Sequence, residues 1–211
     1  MGRKLSEVFI KCPPPFNTPL GHYRWVIATE QHLSKALHDQ ILKRYKHEWP
    51  GGFSGINENR KWLSLEQDNA MHVVLIDEDE DFASQAAFVS RMISIGNESY
   101  FVCGINGLVT QQGHSWLASR IIRYILTNLA VSSGAHVFMG FCSEKLVKWY
   151  KRFGFLPLPG AKVRVDYRNP EESIYIDDEI LIVFPLTFLG HLAIEKIQAG
   201  EELYFGSRPT W

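Results

Sequence analysis

Between Tyr100 and Cys142 the chain alternates extended, helical and extended patterning, and this limits the folds open to it more than any other stretch. Tyr100–Thr110 reads as a strand. Trp116, Leu117, Arg120, Ile121, Tyr124, Ile125 and Leu129 then recur at the three- and four-residue spacing of an amphipathic helix. A second apolar strand follows at Ala135–Cys142 (AHVFMGFC). Two strands joined through a helix of that length pair in parallel, by a right-handed crossover. Upstream, Met71–Ile76, Phe82–Ile95 and Tyr100–Thr110 are separated only by the acidic run Asp77–Asp81 and the turn Gly96-Asn97. Connections so short make a three-strand antiparallel meander. One parallel pair inside an otherwise antiparallel sheet is therefore expected.

The remaining segments add to this frame. Ser34 is a plausible cap for a helix that carries Leu37, Ile41, Leu42 and Tyr45 and stops at Pro50-Gly51-Gly52, after a first strand at Tyr23–Thr29. Ser143–Phe155 (SEKLVKWYKRFGF) reads as a short helix with an apolar face of Leu146, Val147, Tyr150 and Phe153. Ser143 is placed to cap it, and Gly154 ends it with a left-handed backbone. Val163–Tyr167 and Ile174–Leu186 supply two more strands, while the prolines at 13–15 and 19 make residues 1–21 an extension. The expectation is mixed α/β (α+β) architecture in a single domain, residues 22–211, with helices flanking the sheet.

Composition narrows the function classes. A net charge of −1 and 45% hydrophobic residues offer no general attraction to nucleic acid or acidic membranes. Residues 161–211 are more acidic, with five Lys and Arg against nine Asp and Glu, which suits a cationic partner. The longest apolar run, Ile180–Leu186, is too short to span a bilayer. Three widely spaced cysteines, Cys12, Cys103 and Cys142, argue against a disulfide framework and for a reducing compartment, hence a cytoplasmic location. Cys142 reads as a buried apolar residue. No His or Cys pair has metal-ligand spacing, so no metal is expected.

Chemistry is most concentrated in the loop Gln112–Leu117 (QGHSWL) and in the Tyr150 helix. A loop opening a helix presents backbone N–H groups with no partner and favours an anion such as a phosphate. By residue chemistry alone the loop also fits a plain polar turn capped by Ser115, and Trp149 and Tyr150 fit ordinary core aromatics.

Taken in order, Gly104–Val109, the loop, the crossover helix, the following strand and Tyr150-x-x-x-Gly154-Phe155 resemble the acyl-CoA-binding half of the GNAT superfamily of N-acyltransferases. The resemblance implies a central, mostly antiparallel sheet whose one parallel strand pair is splayed to receive coenzyme A. It implies acetyl-CoA or another acyl-CoA as donor, bound by Leu108, Val109, Thr110, Gln112, Gly113, His114, Ser115, Trp116, Leu117 and Ser143. Gln112 and Gly113 match the pyrophosphate loop, whereas Ser115 and Leu117 stand where smaller residues are usual. In the implied reaction an amine attacks the thioester, Leu108 N–H steadies the oxyanion and Tyr150 protonates the leaving thiolate.

Within the superfamily the chain is similar to the aminoglycoside 2′-N-acetyltransferases and the nodulation-type N-acyltransferases. That similarity implies a small primary amine as acceptor, of amino-sugar or aminoglycoside type, contacted by Trp62, His72, Asp177, Asp178, Glu201 and Trp211. It leaves room for a homodimer. Two departures bear on chemistry. Asn106 stands where the first branch has a glutamate base, and an amide cannot take the proton; His72, Glu201 or a water held by Asn106 are the alternatives. Lys61, in Asn57–Lys61, replaces acids that would hold a polycation. A non-catalytic acyl-CoA-binding or interaction module is the rival to the enzyme.

Overall fold

The computed structural model of the chain describes residues 23–53, 58–64, 70–166, 173–175 and 179–206. The extension at residues 1–21 and the expected site residues Asp177, Asp178 and Trp211 lie outside the described residues. The described residues fall into two compact units, divided within two long strands at Phe88/Val89 and Asn106/Gly107 and again at Ile125/Leu126.

In the first unit, β1 (Arg24–Thr29) pairs antiparallel with β2 (Met71–Ile76) from Arg24↔Ile76 to Thr29↔Met71. The other edge of β2 pairs antiparallel with the first half of β3 (Phe82–Ile95), with an irregularity at Leu75/Ile76. The second half of β4 (Glu98–Thr110) is bonded to β3 through Gln111 N–H and Ala83 O at 2.8 Å. α1 (Lys35–Glu48) begins as its sequence suggests, with Ser34 Oγ accepting from Leu37 N–H at 3.2 Å. Its face of Leu37, Ile41, Leu42 and Tyr45 is buried with Val74, Ile76, Phe82 and Val109. α2 (Trp116–Tyr124) runs on as a π-helical stretch, Ile125–Ala130, so the crossover helix is less regular than its sequence period implied.

The second unit adds β5 (Val137–Cys142), α3 (Glu144–Lys151), β6 (Leu156–Leu158), β7 (Val163–Asp166), β8 (Ser173–Tyr175), β9 (Ile180–Pro185), α4 (Phe188–Gln198) and β10 (Leu203–Tyr204). Its strands follow the order β6-β9-β5-β4-β3-β10-β7-β8. Pairing is antiparallel except between β4 and β5 and over a two-residue parallel contact of β10 with β7. The architecture is therefore mixed α/β, with a mostly antiparallel sheet flanked by helices. Apolar segments on both faces form the core, with Val102, Val137, Phe138, Met139 and Val183 at or below 2% exposure.

Four elements depart from the sequence reading, β10 (Leu203–Tyr204) among them. The expected strand Ile174–Leu186 is two strands, β8 and β9. Leu156–Leu158 pairs with β9 despite Pro157, as a proline tolerates on an edge strand. α4 was not expected, although Gly190, Ala193, Ile194 and Ile197 line its buried side at helical spacing. Thr187 Oγ1 caps it by accepting from Gly190 N–H at 3.2 Å. Glycine normally weakens a helix interior; here it admits the His136 carbonyl, which a Cβ would strike. Gly190→Ala is expected to destabilise the protein by about 1–3 kcal/mol, as overpacking does. Urea unfolding measures this against Gly51→Ala, where among the described residues no atom outside its chain neighbours lies within 4 Å of the added carbon and little change is expected.

Candidate functional site

The β4–β5 ladder opens part-way along. Val102↔Val137, Cys103↔Phe138 and Gly104↔Met139 pair in parallel, and there the ladder ends among the described residues. β5 nevertheless runs on through Gly140, Phe141 and Cys142, each still paired to β9 on its other edge. A strand held on one side only leaves backbone N–H and C=O groups facing away from the sheet, and such groups need a partner. α3 follows directly from this open end.

On α3, Tyr150 is 5% exposed, with its ring 4.7 Å from that of Trp149 and 5.5 Å from that of Phe155. Burial, with Cys142 nearby, raises its pKa, so the phenol keeps its proton at neutral pH and can donate it. Gly154 adopts φ +89° and stops the helix as expected, with Phe184 packed against its open side. The α3 face is narrower than its spacing suggested, because Leu146 is 46% exposed. Ser143 occupies the cap position with Leu146 N–H on its carbonyl at 2.9 Å, and its side chain makes no cap bond. Asn106 is half-buried on β4. Cys142 is 4% exposed, and burial, with Glu179 adding, pushes its thiol up to about 11. Cys103 is buried and pushed up to about 12. Neither supplies a thiolate nucleophile at neutral pH.

In the first unit, the end of β4 leads through Thr110 into the loop before α2. Gly113 takes φ +87°. His114 N–H bonds to Gln111 O at 3.1 Å, and Leu117 N–H to His114 O at 2.8 Å. Among the described residues, the N–H groups of Gln112, Gly113, Ser115 and Trp116 meet no backbone carbonyl. Two details correct the sequence reading. Leu117 is fully buried with its N–H occupied, so it anchors the loop in the core and has no donor left for a phosphate. Ser115 is already helical at φ −53°, ψ −27° and makes no side-chain cap. Tyr23, which sequence reasoning missed, holds the loop: its hydroxyl lies 2.7 Å from His114 Nδ1, and its ring meets Trp116 edge-on at 5.9 Å. A lone tyrosine 91 residues from its partner leaves no local sequence signal.

His72 is fully buried on β2. Gln85 Nε2 donates to its Nδ1 at 3.1 Å, which places the ring proton on Nε2, 3.2 Å from Ser64 Oγ. Glu30 lies behind, accepting from Leu63 N–H at 2.7 Å, Ser64 N–H at 2.9 Å and Ser64 Oγ at 3.1 Å. Burial would raise the Glu30 carboxyl, but the bonds from Ser64, Leu63 and His38 outweigh it and hold its pKa below the usual carboxylate value. Burial pushes His72 down to about 4. With both nitrogens engaged and no exposed surface, His72 has no site for a substrate or for the amine's proton, which corrects its expected role. Trp62 stays 40% exposed, with the Arg60 guanidinium 5.9 Å over its ring and Arg60 Nε on its carbonyl at 2.9 Å.

Glu201 stands in the second unit, between α4 and β10. It lines a groove of about 490 Å³ with Glu98, Tyr100, His136, Leu189 and Lys196. Lys196 Nζ joins Glu201 at 3.4 Å to Glu98 at 3.1 Å. Glu98 begins β4, six residues or about 20 Å of strand before Gly104, so the groove lies at the opposite end from the ladder's opening. Among the described residues no cluster of His, Cys, Asp and Glu could hold a metal, and no helix is long and apolar enough to cross a membrane.

The opened parallel ladder, the crossover helix and the helix that follows β5 make this the fold of the GNAT N-acetyltransferases. One solved structure that shares it is FeeM, an N-acyl amino acid synthase from uncultured soil microbes, at 13% identity and TM-score 0.52 over 81% of this chain and 98% of that one. The Escherichia coli GNAT family N-acetyltransferase YhbS in complex with CoA aligns at 13% identity and TM-score 0.50 over 86% and 89%. A GNAT acetyltransferase from Staphylococcus aureus Mu50 aligns at 8% and 0.50 over 78% and 100%. At these identities the likeness is one of fold. No protein-family model and no curated protein sequence matches the chain.

The buried imidazole has a measurable consequence. The folded His72 pKa, about 4, lies below the ordinary value of 6.5, so the unfolded chain binds more protons between the two. The stabilisation is complete above about pH 6.5 and is lost as pH falls toward 4. Glu30, also held low, acts in the same direction further into acid. Urea unfolding at pH 7 and pH 5 is expected to differ by about 2 kcal/mol from His72 alone, and His72→Gln is expected to remove most of that difference.

Proposed function

We propose that the chain is an acyl-CoA-dependent N-acyltransferase that transfers an acyl group, acetyl in the simplest case, from a CoA thioester to a primary amine of a small acceptor. The observation that carries this reading is the parallel ladder that stops after three pairs while β5 continues. An amide-bearing arm such as pantetheine supplies what those open backbone groups lack, and the N–H groups at Gln112, Gly113, Ser115 and Trp116, which meet no backbone carbonyl among the described residues, suit the pyrophosphate. We read residues 22–211 as one catalytic domain and 1–21 as an extension.

The roles follow from the chemistry of each group. Side-by-side N–H groups along a strand alternate edges, and Gln111 N–H faces β3. Counting back, Leu108 N–H faces the opposite edge of β4, where it serves as oxyanion donor, with Val109 and Thr110 continuing the CoA-binding strand. Tyr150, held as a neutral phenol, donates its proton to the thiolate as the carbon–sulfur bond breaks. Of the three expected proton acceptors, His72 is enclosed and Glu201 stands at the far end of β4, which leaves a water on Asn106 that passes the amine's proton to solvent. Trp62 offers a half-exposed aromatic face to the acceptor. An amino sugar fits that face better than a polycationic aminoglycoside, because Arg60 and Lys61 flank it. The buried, protonated thiols suit the reducing conditions of a cytoplasm.

Purified protein mixed with acetyl-CoA and a panel of amines, including an amino sugar, an amino acid and an aminoglycoside, is expected to release free CoA thiol with at least one of them. Tyr150→Phe is expected to lower kcat by about 100-fold, within the span of general acid catalysis, while CoA binding persists. Tight CoA binding with no thiol release from any amine would instead identify a binding module.

A further inference from the structure

The Gly107 peptide of β4 is held by a side chain that no part of the proposed reaction uses. Tyr45, on α1, is 3% exposed, and its hydroxyl lies 3.1 Å from Gly107 O and 2.9 Å from Gln85 Oε1. Gly107 takes φ +61°, and a Cβ there would overlap the tyrosine hydroxyl. Glycine is thus required twice at this position, for its left-handed backbone and for the closeness of the phenol.

Gly107 C=O and Leu108 N–H belong to one peptide group. In a trans peptide the two point in opposite directions, and a hydrogen bond accepted by the carbonyl strengthens the N–H as a donor. We infer that Tyr45 is a positioning residue that orients and polarises the Gly107–Leu108 peptide, so that Leu108 N–H is presented to the thioester oxyanion. The inference rests on the transferase reading of β4. The chain of bonds behind Tyr45 fixes its aim: Gln85 Oε1 competes for the same proton, Gln85 Nε2 donates to His72, and His72 is tied through Ser64 to Glu30. The phenol has one proton and two acceptors, and loss of the Gln85 oxygen commits that proton to Gly107.

Two variants separate positioning from simple support of the core. Tyr45→Phe removes the bond to Gly107 O, and Gln85→Met removes the rival acceptor while keeping the side-chain length. Both are expected to lower stability in urea. Only Tyr45→Phe is expected to lower kcat, by about 10- to 100-fold, less than the 100- to 1,000-fold cost of deleting an oxyanion donor outright. KM for acetyl-CoA is expected to hold in both. The carbonyl stretch of bound 13C-acetyl-CoA, recorded without amine, is expected at lower frequency in the wild type than in Tyr45→Phe. If the wild type turns over and Tyr45→Phe matches it in kcat and carbonyl frequency, the inference is overturned and the transferase stands. A parallel fall of kcat in both variants also overturns it, leaving Tyr45 a core support. A wild type that releases no thiol with any amine brings down the transferase reading and the inference together.

Discussion

Six antiparallel pairs between β5 and β9 hold β5 along its whole length, and the rest of the second unit depends on that ladder. A strand bonded on both edges has no reason to open, and one bonded on neither would not persist. Among the described residues β5 is anchored on one edge throughout and pairs on the other over three residues. The result is a stable strand with an open flank, ending where α3 starts. Burial keeps the flank in place, since Gly140 is buried and Cys142 is 4% exposed. The opening therefore costs backbone bonds and little of the apolar packing that dominates folding.

Most of the architecture was legible from sequence because its signals are local. The period of the crossover helix, the Ser34 cap, the acidic turn at 77–81 and the Gly154 stop each depend on residues a few positions apart. What escaped depends on distance. α4 carries a helical stripe, yet Gly190 in its first turn looks like a break until His136 O is found against it. Tyr23 and Tyr45 act on groups 91 and 62 residues away, and nothing beside them in the chain marks the contact. The fates of His72 and Glu201 had the same cause: residue type suggested a proton acceptor, while burial in one case and strand position in the other decide what each can reach. Leu117, where a smaller residue was expected, turned out to serve packing.

The polar chain from Glu30 to Gly107 shows how a core tolerates such groups. Every buried heteroatom whose bonds are described along it has a partner: carboxylate to hydroxyl, hydroxyl to imidazole, imidazole to amide, amide to phenol, phenol to carbonyl. A closely coupled chain of this kind is rigid, because shifting one member leaves another unpaired in a low-dielectric interior. It ends on a backbone carbonyl, so its rigidity passes into the main chain of β4. This differs from the groove at Glu98, Lys196 and Glu201, where the charges are partly solvated and adjust at little cost.

The start of α2 has a consequence of another kind. Ser115 makes no side-chain cap, and among the described residues the N–H groups of the first turn at Ser115 and Trp116 meet no backbone carbonyl. An anion seated there would complete the helix as a cap residue does elsewhere, so occupancy and folding become thermodynamically linked. The helix would then melt later in a cell rich in the ligand than in dilute buffer, and the metabolite supply would set part of the protein's own durability.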